Sequence, residues 1–468
     1  MNDVVLDTLL ADRQAILARL CELVRQPSVS TDRAYRDGMA GARALLLARL
    51  REAGFEGVQT LAAGGHPALY GQWCHAPDRP TFLVYGHYDV QPPDPLDRWH
   101  SPAFEPEVRD GRLYGRGVSD DKGPLSIALE TLTAFLALEG RLPVNVKLLL
   151  EGEEEVGSAT LPAIFAKYPE LLAADAVLSA DGARWRADLP TVTVGCRGDV
   201  GMEFHLRSAR KDLHSGRYGG AVANALHVLA GLLACLHDAA GGVAVADFYA
   251  GVSEPDPSER ARLAMIPFDE QGFIADLDGV ALGEPGYTTL ERLWLRPTLE
   301  INGVSGGYGG EGAKTVIPCE ASAKLTARLV PGQEPAAVLV AVEAHLRRHC
   351  PAGVGLEFFR NHGGSRAYEV AGEHPLLGAT ETVLTGVLGR KPLRVKMGAT
   401  LPMADIVAAT LGIHTVMFSF STADEDFHAP NEFFRLSALE EGLRAWVRLL
   451  RLLGEQRAAD YAPFRVDG

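Results

Sequence analysis

What the chain lacks narrows it first. Its six cysteines (Cys21, Cys74, Cys196, Cys235, Cys319 and Cys350) include no C-x-x-C pair, which argues against a structural zinc knuckle or a disulfide framework. Each reads as a small buried apolar residue in a reducing compartment. No apolar run approaches the roughly 20 residues that span a bilayer. The opening MNDVVLDTLLADRQ carries acids where a secretory signal needs Lys or Arg before an apolar core, and it has no small-residue cleavage site. These absences predict a cytoplasmic protein without a transmembrane segment. Positive charge is also short: 45 basic against 60 acidic residues leave a formal net charge of −15, which repels nucleic acid and anionic membrane. No internal repeat or low-complexity tract stands out.

What is present is enough to build two cores. At 468 residues and 47% hydrophobic content the chain exceeds what one hydrophobic core normally supports. Apolar residues at i, i+3, i+4 spacing predict helices over 4–24, 40–50, 125–138, 336–346 and 439–453. Strands are predicted over 81–85, 144–150, 176–180 and 415–420, alternating with helices as in an open α/β sheet. The expected fold is therefore α/β, a mostly parallel sheet with helices on both faces. The texture changes near Gly195: 200–206 and 321–330 alternate like strands around a long helix over 221–236, an inserted α+β domain. The expected division is 1–197 and 365–468 for the discontinuous α/β domain and 198–364 for the insertion. Residues 241–293, rich in Pro and Gly, read as an irregular excursion, and 361–365 (NHGGS) as a hinge.

In open α/β sheets ligands gather beyond the carboxyl ends of the strands. The strand over 81–85 runs into His87 and Asp89, that over 144–150 into Glu151, Glu153, Glu154 and Glu155, and that over 176–180 into Asp181, while the strand over 415–420 leads through an acidic loop to His428. Most isolated E-E-E runs are solvated turns. Directly after a buried strand, three adjacent glutamates repel one another unless cations offset them. Two imidazoles and several carboxylates with no thiolate suit Zn²⁺ first, with Mn²⁺ or Co²⁺ as alternatives. Asp89, two residues after His87, is placed to orient its ring from the side facing away from a metal. Asp120 and Asp121 precede a helix; an N-cap explains one acid, and the other is free to bridge two cations.

The segments GHYDVQP, GRGVSDDKG, EGEEEVGS and DFHAPNE, in this order, resemble the signatures of the aminoacylase/carboxypeptidase-like di-zinc metallopeptidases, in their carnosine-dipeptidase branch. KDLHSGRYGG, GAKTVIP and ARLVPG in the insertion are similar to further segments of that branch. The resemblance implies two divalent ions per subunit, with Asp120 bridging both, His87 and Asp181 on one, and Glu155 and His428 on the other. Glu154 is implied as the general base, with Asp89 orienting His87. The insertion is implied to be a lid and dimerisation domain whose His214 stabilises the oxyanion in the partner subunit of a homodimer, and whose Arg328 binds the substrate's carboxylate. Thr315, Thr400 and His362 are further candidates for substrate contacts, and the Asp120–Asp121 peptide is expected to be cis. Where the branch carries an acid followed by Gly-Gly-Ser-Ile-Pro, this chain reads Met397-Gly398-Ala399-Thr400-Leu401-Pro402, which leaves the metal chemistry untouched and removes support for a preference for carnosine itself.

The expectation is metal-dependent hydrolysis of dipeptides or of the terminal bond of short peptides. Its rivals are an N-acyl-amino-acid amidohydrolase of the same family, which shares all five ligands, and a catalytically silent metal-binding scaffold, which has no need of Glu154. Two further patterns are decoys. Gly307, Gly309 and Gly312 spell G-x-G-x-x-G but lead into Thr315-Val316-Ile317-Pro318 rather than a helix. Gly303-Val304-Ser305-Gly306-Gly307 spells G-x-S-x-G with glycines where a nucleophile elbow requires a helix.

Overall fold

In the computed structural model, which describes residues 3–360 and 364–466, the chain divides into two compact units: Met1–Val194 with Val370–Val395 and Ile406–Gly468, and Gly195–Glu369 with Lys396–Asp405. The sequence division at 198 and 364 differs from this by a few residues at each end. It also placed 396–405 with the α/β domain. This segment groups instead with the second unit, where the backbone N–H of Arg197 donates to Met397 O and its Nε to Gly398 O.

The first unit is built on a six-stranded sheet in the order Glu56–Leu61, Ala68–Trp73, Asn145–Glu151, Thr81–His87, Ala176–Ser179, Thr415–Met417. The last four strands run parallel, and Ala68–Trp73 is antiparallel to both its neighbours. The parallel strands read as near-continuous apolar runs, TFLVYGH, NVKLLLE, AVLS and TVM, as strands buried on both faces must. The chain leaves Thr81–His87 for Asn145–Glu151 on one side, and the adjacent Ala176–Ser179 for Thr415–Met417 on the other, which opens a crevice at the carboxyl ends of these two strands. The Lys122–Glu139 helix follows, burying Leu125, Ile127, Leu129, Leu132 and Phe135 and stopping at the left-handed Gly140, the usual glycine end. Leu436–Leu453 buries Leu439, Leu443, Trp446, Leu450 and Leu453 along one stripe, the pattern of an amphipathic helix laid on a core. The helix expected over 4–24 is two, Val4–Ala11 and Arg13–Val24: Asp12, a poor helix former, caps one and begins the next.

The second unit carries a four-stranded antiparallel sheet ordered Thr298–Gly306, Glu320–Leu329, Gly198–Arg207, Gly355–Arg360. Along Gly198–Arg207 every second residue is buried, the period of a half-buried strand. Val200, Met202, Phe204 and Leu206 share a core with Leu229 and Leu232 of the Ala225–Ala234 helix and Val338, Val342 and Leu346 of the Pro335–His349 helix. Gly303 and Ser305 pair within this sheet, so no nucleophile elbow forms. The 241–293 stretch is irregular over 241–256, 265–269 and 277–288, as expected, but not throughout. It holds the short helices Pro257–Ala264, Glu270–Asp276 and Thr289–Trp294, N-capped by Asp256, Asp269 and Thr288. Among the described residues no helix is long and apolar enough to cross a membrane.

Candidate active site

The strand ends of the first unit deliver the acids and imidazoles to one place. His87 closes the Thr81–His87 strand, Glu154 and Glu155 form the turn after Asn145–Glu151, and Asp181 lies just past Ala176–Ser179. His428 sits in a loop with a left-handed φ of +59°, and the Asp120–Asp121 peptide before the Lys122–Glu139 helix is cis. Asp120 stands at the centre: its Oδ1 is 2.9 Å from His87 Nε2 and its Oδ2 is 3.2 Å from His428 Nε2. Glu155 Oε2 lies 3.2 Å from the same nitrogen of His428. Two groups therefore share Asp120, namely His87–Asp120–Asp181 and Asp120–Glu155–His428, and in each one ligating atom per residue lies within 4.8 Å of the others.

The electrostatics show what the cluster needs. Burial pushes Asp181 up to about 6, opposed by His87 and helped by repulsion from Asp120. Burial raises Glu155 as well, and holds Glu154 well above the ordinary carboxylate range, with Asp181, Glu155 and Asp120 adding repulsion. His428 is pushed up to about 10 by its bonds to Asp120 and Glu155. For His87 burial acts downward, but bonds to Asp120 and Asp89 override it and raise the imidazole. For Asp120 burial acts upward, but its bonds to His428 and His87 outweigh it and lower the carboxyl. The positive charge that these acids face is that of two imidazoles, and buried carboxylates at this density call for cations. Imidazole nitrogens and carboxylate oxygens without thiolate fit Zn²⁺, Mn²⁺ or Co²⁺.

Neighbouring groups hold the cluster in place. The His87 Nδ1 lies 3.0 Å from the backbone oxygen of Asp89 and 3.6 Å from its carboxylate, so the main chain of Asp89 is the nearer partner. Its carboxylate accepts instead from the backbone N–H groups of Glu154 and Glu155, at 3.3 and 3.2 Å. Asp121 sits at the N-cap position of its helix without a capping bond; its Oδ2 accepts from the His87 N–H at 3.1 Å. A Cβ on Gly86 would stand 2.7 Å from that oxygen, which explains the glycine before His87. The three adjacent glutamates have different fates. Glu153 accepts from His66 N–H at 2.7 Å and from the Thr160 hydroxyl, Glu155 accepts from Gln91 N–H at 3.1 Å and from its Nε2 at 2.8 Å, and among the described residues none donates to the Glu154 carboxylate.

Sequence reasoning missed Glu432. It is 1% exposed, and its carboxylate accepts from the backbone N–H groups of Gly117, Ser119 and Asp120, at 2.8, 2.9 and 3.1 Å, and from Arg116 Nη1 at 2.7 Å. One acid thus fixes the loop that presents Asp120. DFHAPNE ends on this residue, but three of its four partners are main-chain donors, which leave no mark in the sequence. Glu425, which accepts from the backbone N–H groups of Thr422 and Arg435 at 3.1 and 3.3 Å as well as from the Ser119 hydroxyl, was overlooked for the same reason.

The remaining predicted residues lie in the second unit. His214 is exposed, and its Nδ1 accepts from Gly216 N–H at 3.1 Å, leaving Nε2 available. It pairs with Val316 in a two-residue ladder, next to Thr315, whose carbonyl accepts from Ser215 N–H. Arg328 Nη1 donates to Thr400 Oγ1 at 2.8 Å, so these two are brought together. Arg197, also missed, is 8% exposed and is lowered to about 10 by burial and then by the charge of Arg328. His362 lies outside the described residues.

Comparison with known proteins shows metallopeptidases among the chain's relatives. The chain is 30% identical to the Beta-Ala-His dipeptidase of Homo sapiens over 78% of this chain and 73% of that one. It is 27% identical to the Cys-Gly metallodipeptidase DUG1 of Saccharomyces cerevisiae over 94% of this chain and 95% of that one. The solved M20 family metallo-carboxypeptidase Sso-CP2 from Sulfolobus solfataricus superposes with a TM-score of 0.84 at 30% identity, covering 94% of this chain and 99% of that one. Residues 83–452, from the central strand to the last long helix, match the description Peptidase family M20/M25/M40, and the chain belongs to that family.

Proposed function

We propose that this protein hydrolyses dipeptides, or the terminal peptide bond of short peptides, at a centre held by His87, Asp120, Glu155, Asp181 and His428. The observation that carries the reading is Asp120, whose two oxygens face two different histidines, 2.9 Å from His87 and 3.2 Å from His428. On this reading Asp120 is shared between two divalent cations, Zn²⁺ first and Mn²⁺ or Co²⁺ as alternatives, one held also by His87 and Asp181 and the other by Glu155 and His428. Such cations polarise a scissile carbonyl and acidify water.

The chain's own residues supply the rest. The Glu154 carboxylate accepts no hydrogen bond from the described residues and is raised by burial, so it is free to take a proton from the attacking water and hold it for the leaving amine. Asp89 keeps Glu154 in place through the Glu154 N–H and turns His87 through its own carbonyl. Arg328, steadied by Thr400 and close to Arg197, receives a carboxylate, as the terminus of a peptide presents. His214 and Thr315 are read as further substrate contacts, with His214 offered to the partner subunit of a homodimer; the exposed ring and free Nε2 of His214 support this role.

The test is a substrate panel on protein replete with Zn²⁺, Mn²⁺ or Co²⁺: dipeptides, tripeptides and N-acyl amino acids. Cleavage of dipeptides is the expected result; cleavage of acyl substrates alone makes the protein a deacylase and overturns the proposal.

A further inference from the structure

A second convergence of metal-ligating side chains lies in the other unit. The Ala225–Ala234 helix is C-capped by Cys235, and the Pro335–His349 helix carries His345 and His349 in its last turns. Four residues apart, these two histidines fall on one helix face, with ring centroids 4.2 Å apart. One potential ligating atom from each of Cys235, His345 and His349 lies within 4.8 Å of the other two.

The hydrogen bonds fix how the imidazoles are presented. His345 Nε2 lies 2.9 Å from the carbonyl oxygen of Cys235, and His349 Nδ1 lies 2.9 Å from the carbonyl oxygen of His345. A carbonyl only accepts, so these nitrogens carry the protons, and the opposite nitrogen of each ring keeps its lone pair. His345 is 5% exposed, yet its Nδ1 has no hydrogen-bond partner, a costly state for a buried acceptor. A backbone carbonyl on one ring nitrogen and a free lone pair on the other is how metal-ligating histidines are usually held. Both helices also end here, and the carbonyl-rich end of a helix attracts cations. Burial, then the charges of His349 and Arg348, hold His345 below the ordinary imidazole range against its bond to the Cys235 carbonyl.

We propose that Cys235, His345 and His349 form a transition-metal site that takes Zn²⁺ and clips the ends of the two helices together. The Cys235 thiol now donates to Leu232 O at 3.1 Å; on binding, its proton leaves to solvent and the thiolate sulfur becomes the third ligand. Cys235 and His349 line a surface cleft with His227 and Gly231, which gives the ion an entry path and leaves a fourth position to solvent. One soft sulfur and two imidazoles select Zn²⁺ or Co²⁺ over Mn²⁺, whereas carboxylate-rich sites accept Mn²⁺.

The test titrates the full chain, loaded with Mn²⁺, with Co²⁺ and follows near-ultraviolet absorption. Sulfur-to-cobalt charge transfer reports only a thiolate ligand, so Co²⁺ entering the carboxylate cluster contributes nothing to it. One equivalent of the band is expected, quenched by Zn²⁺, absent from Cys235→Ser, and requiring at least about tenfold more Co²⁺ in His349→Ala, since even the loss of a group that only supports a ligand costs about 10–100-fold. His349 is exposed, so its variant tests the site even where the cysteine variant fails to fold. No band at stoichiometric Co²⁺, a full band in Cys235→Ser, or unchanged affinity in His349→Ala overturns the site.

Discussion

Glu153, Glu154 and Glu155 are chemically identical and adjacent, and their surroundings separate them. Glu153 is tied to His66 and Thr160, Glu155 faces His428 and Gln91, and Glu154 keeps a carboxylate to which no described residue donates. Glu154→Gln should therefore lower kcat by about 10²–10⁴-fold, the usual worth of a proton-transfer group, while metal content by elemental analysis stays at the level of the parent protein. A loss of metal in step with activity would make Glu154 a ligand instead. Glu432 should behave differently, because it acts through the loop it holds. Glu432→Gln removes the charge facing Arg116 and an acceptor for three N–H groups, and should weaken metal affinity by about 10–100-fold, read by competition with a fluorescent chelator. The acids of the cluster were legible because strand ends in the sequence pointed to them. Glu432, Glu425 and Arg197 were not, since each is defined by backbone groups or a like charge that only the folded chain brings near.

Among the elements, those with a strong period were readable. The parallel strands announced themselves as short apolar runs, and 436–453 by its stripe, because burial on both faces or on one leaves a pattern in the sequence. The three helices beginning within 241–293 were missed because each is too short to show a period; Pro257–Ala264 and Glu270–Asp276 bury no residue, and Thr289–Trp294 buries four of its six. The Thr288 and Glu291 capping box was the signal available there. Another element-level feature is His374, which precedes the Pro375–Leu388 helix and packs edge-on against His414, Tyr461 and Phe464. It is 1% exposed with neither ring nitrogen bonded, and burial, then the charge of His414, pushes it down to about 4. An unfolded chain takes up this proton near the ordinary value of 6.5, and the folded one only near 4. Its contribution is thus complete above pH 6.5 and declines as pH falls toward 4, by at most about 1.4 kcal/mol per pH unit. Urea midpoints measured between neutral pH and the folded value should fall less steeply for His374→Phe than for the parent; parallel slopes would refute it.

At the scale of the whole chain, the candidate ligand groups lie in different units, so the effects of metal on the two should be separable. Every member of the carboxylate cluster belongs to the first unit, and Cys235, His345 and His349 belong to the second. A ligand that binds only the folded state stabilises it by about 4 kcal/mol at a thousand times its dissociation constant, which moves a transition of this size by roughly 10 °C. Without cations the acids of the cluster lose the charge that offsets their repulsion, in a chain already carrying −15. Scanning calorimetry of the Mn²⁺-loaded protein before and after chelation should therefore lower the transition of the first unit by about that amount and leave that of the second in place. Zn²⁺ added to the Mn²⁺-loaded protein should then raise the second transition, and should fail to do so in Cys235→Ser. If both transitions move together on Mn²⁺ removal, the cluster's cations stabilise more than the unit that holds their ligands, and the separation drawn between the two sites does not extend to folding.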